Sequence, residues 1–187
     1  MALETINMET INFDKLLLKT AFSCMACDGD IDKREVKLIK QLHKENKTFG
    51  DIDINSEIDI LLLAINRDGR HFLKNYFKEL TSSELSEADE LKLIEVAIDT
   101  IKADDKVEYS EIKFFKVIRS KLKIDNNPIL EKHPDFEGYL EQDIISDSYL
   151  TRLQDDFFDT NLLPQFELIS KIDGTILEAK ANNNEEA

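Results

Sequence analysis

Apolar residues recur at intervals of three and four through the first 125 positions, and this period predicts a succession of amphipathic helices. Leu17, Ala21 and Met25 form one stripe, predicting a helix from about Phe13 to Cys27. Val36, Ile39 and Leu42 form the next, over about Lys33 to Lys47. Asp51 to Asn55 reads as a loop, followed by a short helix over Ser56 to Asn66 through Ile58, Leu61, Leu62 and Ile65. Asp68-Gly69 reads as a turn, and Phe72, Leu73, Tyr76, Phe77 and Leu80 mark another helix. Thr81-Ser82-Ser83-Glu84 has the spacing of a helix start. The helix it opens reaches Ala103 along Leu91, Ile94, Ile98 and Ile101, and another follows through Ile112, Phe115, Ile118 and Leu122. The aromatic residues Phe72, Tyr76, Phe77, Phe114 and Phe115 share these stripes and are expected in the core.

The pattern weakens after Asp125-Asn126-Asn127-Pro128, where Pro128, His133-Pro134 and Gly138 interrupt it. Helical fragments are expected near 139–154 and 164–171, with a short hairpin around Asp173-Gly174 and a frayed end from Lys180. With only five Gly and three Pro in 187 residues, helix should dominate. The expected fold is all-α, with seven to nine helices. It divides into a helical domain over residues 13–125 and an acidic, partly helical C-terminal extension over 126–187.

Two blocks of the chain are alike at a separation of 76 positions. Ala26-Cys27-Asp28-Gly29-Asp30-Ile31-Asp32-Lys33-Arg34-Glu35-Val36-Lys37 aligns with Lys102-Ala103-Asp104-Asp105-Lys106-Val107-Glu108-Tyr109-Ser110-Glu111-Ile112-Lys113. Each block lies between two helical stripes, which implies duplicated helical hairpins that bring carboxylates to a turn. Clustered carboxylates repel one another unless a cation or a basic group compensates, and hard divalent cations suit oxygen ligands. The same residues can instead cap helices: Asp32 and Glu35 have capping-box spacing, and acids in a first turn favour the helix dipole. An EF-hand does not fit, because a loop counted from Asp28 puts Lys33 where glycine is required and Ile39 where the final glutamate is required.

These blocks resemble the tellurite-resistance TerB family, over roughly Phe13 to Ile124. The resemblance rests on Cys27-Asp28-Gly29 with Glu35 and on Ala103-Asp104-Asp105 with Glu111. It implies an all-helical bundle of two pseudo-symmetric hairpins, with no enzymatic activity and a role in stress response. It also implies a divalent-cation site (Ca, Mg or Mn) on Asp28, Asp30, Asp32 and Glu35 in the first block and Asp104, Glu108 and Glu111 in the second. The second block departs from the family pattern, with Asp105 for glycine and Lys106 at the place of Asp30. The alternative is a metal-free scaffold that meets a protein partner through its acidic extension.

Charge narrows the partners. The chain carries a formal charge of −15, and residues 126–187 hold 14 acids against 4 bases. Nucleic acid and anionic membrane surfaces are disfavoured, since both require clustered Lys and Arg. Cations and basic protein surfaces remain. No apolar run approaches the roughly 20 residues that cross a bilayer, and Met1-Ala2-Leu3-Glu4-Thr5 lacks the basic start of a signal peptide, so a cytoplasmic location is expected. Cys24-Met25-Ala26-Cys27 could hold a soft metal or meet a thiol-seeking oxyanion such as tellurite. However, its repeat partners are Thr100 and Ala103, small residues, which favours core packing. Phe157, Phe158 and Phe166 in the extension are candidates to dock it on the core or to bind a partner. His43, His71 and His133 show no ligand spacing, and no catalytic or nucleotide motif is present.

Overall fold

The computed structural model describes residues 2–28, 31, 33–102, 107 and 109–140, with the side chains of 2–12, 28, 33, 35 and 70 outside that description. Among the described residues the architecture is all-helical. In chain order the helices are α1 (Ala2–Met25), α2 (Lys33–Asn46), α3 (Ile54–Arg67), α4 (Gly69–Ser82), α5 (Glu87–Ile101), α6 (Tyr109–Lys121), α7 (Asn126–Lys132) and α8 (Glu137–Leu140). Short 3₁₀ turns occupy Ala26–Asp28 and Pro134–Phe136. No helix among the described residues is long and apolar enough to cross a membrane.

α1 is the axis of the bundle. It packs along α5 and touches α3, α4 and α6, while α3 lies against α4 and α6 against both α4 and α5. Its stripe of Leu17, Ala21 and Met25 is buried as the period predicts, and Leu18 and Phe22 broaden it. The helix starts upstream of the expected Phe13, since neither Gly nor Pro occurs before Gly29 to stop it. All five expected core aromatics are buried. Phe22 meets Phe72 edge-on at 5.7 Å between centroids, and Phe77 leans on Phe114 at 5.3 Å. Tyr76 is fully buried with its hydroxyl donating to Thr20 Oγ1 at 3.1 Å, and Thr20 in turn donates to the Leu16 carbonyl at 2.9 Å. The polar end of a core ring is thereby satisfied.

Two further boundaries differ from expectation, for local reasons. The expected helix start at Thr81-Ser82-Ser83-Glu84 is instead the end of α4. Thr81 donates back to the Phe77 carbonyl, and Ser82 and Ser83 both donate to that of Glu79. The true start lies four to five residues on: Ser86 caps α5, accepting from the Asp89 amide while the Asp89 carboxylate accepts from the Ser86 amide. The second difference is at Asn126-Asn127-Pro128, which forms the first turn of α7. Pro128 falls in the first three helical positions, where its missing N–H has no helical acceptor to lose. From there Ile129, Phe136 and Leu140 are buried, α7 packing on α5 and α8 on α6. Phe136 stacks edge-on against Phe115 at 5.4 Å. The expected fragments near 139–154 and 164–171, and the hairpin at Asp173-Gly174, lie beyond Leu140 and so almost wholly outside the described residues.

Candidate functional site

The acidic blocks sit where helices end. α1 gives way at Met25 to the 3₁₀ turn Ala26–Asp28, Ile31 is half-buried, and α2 starts at Lys33. α5 stops at Ile101, and α6 starts at Tyr109. The 3₁₀ turn lies against α6, and α2 lies against α5. The end of α1 is thus adjacent to the second pair, and α5 to the second helix of the first.

Of the seven candidate ligands, Asp30, Asp32, Asp104 and Glu108 lie outside the described residues. Asp28 closes the 3₁₀ turn, and Glu35 is the third residue of α2; for both, only the backbone is described. Glu111, in the first turn of α6, is the one whose side chain is described, and it is buried. Among the described residues no three His, Cys, Asp or Glu side chains form a group that could hold a metal. Beside the second block, Tyr109 is 71% exposed, with Lys113 Nζ 4.3 Å over its ring. Cys24 and Cys27 are buried thiols in the core cluster, as their small repeat partners suggest.

No family model, curated protein or solved structure matches the chain.

Two further buried carboxylates lie outside the acidic blocks. Glu90, at the head of α5, uses one oxygen, Oε2, to accept from the amides of Lys123 and Ile124 at 2.7 and 2.6 Å. Arg119 holds the same loop from the other side, donating to the carbonyls of Leu122 and Ile124 and to Asn126 Oδ1. Burial pushes the Arg119 pKa down, while the carboxylates of Glu90 and Asp125 push back. The loop that follows α6 is therefore gripped by its N–H groups and its C=O groups at once.

Asp14 is the second. It is buried in α1 and faces the loop that follows α2. Its carboxyl fills the space beside Gly50, whose φ is +64°: a Cβ built there would lie 1.8 Å from Asp14 Oδ2. Burial raises the Asp14 pKa; Lys92 partly offsets this, and Asp51 adds to it. Asp14 and Glu90 are separated by 76 positions, the separation of the two acidic blocks. Both sit at the start of a buried stripe, Asp14 before Leu17 and Leu18, Glu90 before Leu93 and Ile94. An acid where the period calls for an apolar residue was the available signal.

A groove of about 410 Å³ adjoins Glu90, between residues 80–86 and 121–123. Twelve steps along the chain separate Glu90 from Lys102 at the C-cap of α5, roughly 18 Å of helical rise, so the groove lies at the far end of α5 from the second acidic block. His43 stacks on Phe49 at 6.3 Å, and its Nδ1 is buried without a hydrogen-bond partner. His71 is exposed on α4 and His133 half-buried after α7, so the three imidazoles form no common site.

Proposed function

We propose that the chain is a non-enzymatic, TerB-like stress-response module, built from two helical hairpins, that binds a divalent cation or a protein partner through its two acidic turns. The observation that carries this reading is the packing of the 3₁₀ turn Ala26–Asp28 against α6, whose own first turn holds the buried Glu111. The first acidic segment thus leaves from a turn that packs on the helix into which the second one leads. The pairing of Asp14 with Glu90, each facing the loop after the second helix of its hairpin, supports the duplication on which the reading depends. A cation held among these acids would relieve their mutual repulsion. Direct capture of an oxyanion is disfavoured by the negative charge of the blocks.

Calorimetric titration of the whole chain with Ca²⁺, Mg²⁺, Mn²⁺ and Zn²⁺ tests this, alongside Asp28→Asn and Asp104→Asn. Micromolar binding that either substitution abolishes supports a cation site and assigns its turn. Binding no tighter than about millimolar in the wild type, some 4 kcal/mol at most, removes the cation. The exposed Tyr109 beside the second block favours the protein-partner form of the reading in that event.

A further inference from the structure

α3 presents an unpartnered seam. Ile54, Ile58, Leu62 and Ile65 face the core, while Ser56, Ile60, Leu63 and Arg67 face outward at spacings of four, three and four. That is the a/d spacing by which one helix receives another apolar segment. Ile60 is 54% and Leu63 57% exposed, and the neighbouring Ala64 is small enough to let a partner approach.

The stretch of chain that continues from the seam is basic. From Arg67 to Lys78 the chain has Arg67, Arg70, Lys74 and Lys78 against the single acid Asp68, a balance of +3 within a protein of −15. Lys74 and Lys78 are exposed on α4. The chain also carries a segment of opposite chemistry. Residues 153–169 contain Phe157, Phe158 and Phe166 with Asp155, Asp156, Asp159 and Glu167, and no Lys or Arg. This segment matches both parts of the surface, its aromatic residues the aliphatic pair and its carboxylates the basic stretch.

We propose that residues 153–169 dock on the outward face of α3, with their aromatic residues over Ile60 and Leu63 and their carboxylates toward Arg67 and the basic face of α4. The tether permits it. The thirteen steps from Leu140 to Leu153 span up to roughly 45 Å when extended, against a radius of gyration of roughly 15 Å for the 140 residues that precede them. The docking is independent of the acidic-turn reading, since it uses neither block.

Hydrogen exchange read by mass spectrometry on the full chain tests this, comparing wild type with Ile60→Asp/Leu63→Asp. Both positions are exposed, so the bundle stays folded in the variant, which an unchanged thermal midpoint verifies. Docking requires that amides in 153–169 be protected in the wild type and lose about tenfold or more of that protection in the variant, and that added salt weaken protection as well. Free exchange of 153–169 in the wild type overturns the proposal, as does protection indifferent to the two substitutions. A dimer in sedimentation that becomes monomeric in the variant while 153–169 exchange freely also overturns it, and assigns the seam to a second copy.

Discussion

Replacing Glu90 with alanine should cost the fold more than any substitution in the acidic turns. One buried carboxylate oxygen accepts the amides of Lys123 and Ile124 at 2.7 and 2.6 Å, and the Ile124 bond is fully enclosed. Hydrogen bonds to a charged group contribute about 1.5–3 kcal/mol each, and a buried donor left without an acceptor costs about 1–3 kcal/mol. The two bonds share an oxygen and do not add fully, so about 3 kcal/mol is expected. For a chain of this length that lowers the thermal midpoint by about 10 °C. Glu90→Gln keeps a carbonyl acceptor at the same reach and should lose only about 1 kcal/mol. Equilibrium denaturation in urea measures both, and exchange of the Lys123 and Ile124 amides locates the damage. If Glu90→Ala stays within about 0.5 kcal/mol of wild type, the carboxylate is not what holds this loop.

Asp14→Asn should behave in the opposite sense. The Asp14 pKa is raised in the folded state, so folding takes up protons between the ordinary carboxylate range and the raised value, and stability falls as pH rises through that window. The asparagine variant lacks this loss and should be the more stable protein at pH 7, with the advantage shrinking as pH approaches 4; a variant less stable at pH 7 refutes it. Gly50→Ala should destabilise by more than about 1 kcal/mol, since positive φ and the overlap with Asp14 both oppose a Cβ. A double-mutant cycle with Asp14→Ala should recover the part due to overlap, and purely additive costs would show that the contact is immaterial. Ser86→Ala should cost about 1 kcal/mol through loss of the α5 cap, whereas Glu84→Ala, at the expected but incorrect start, should change stability by less than about 0.5 kcal/mol. Equal costs on thermal unfolding would remove that distinction.

The first six helices were legible because they carry apolar stripes: Leu17, Ala21 and Met25, or Ile94, Ile98 and Ile101, announce a buried face by period alone. Their ends were less so. Thr81-Ser82-Ser83-Glu84 and Ser86 to Asp89 have equivalent signatures, and hydroxyls that reach back to the carbonyls of a preceding turn read the same as hydroxyls that cap a following one. Phe49, buried in the loop after α2 and stacked with His43, belongs to no stripe and was missed for that reason. Asp14 and Glu90 were missed because a search for acids in turns passes over acids in helices. Their equivalence appears only when the 76-position separation of the turns is carried back along α1 and α5.

Asp68 stands alone between α3 and α4. Its amide donates to the Ala64 carbonyl and so closes α3, while its carboxylate accepts from His71 and its carbonyl from Phe72 and so open α4. A joint of one residue, with every polar group committed, has no slack to bend. The two helices therefore form an elbow of fixed angle, and force applied to one is delivered to the other. An inserted residue here would not lengthen a loop but would unseat two helix ends at once, and with them the angle at which the seam of α3 meets the charge of α4.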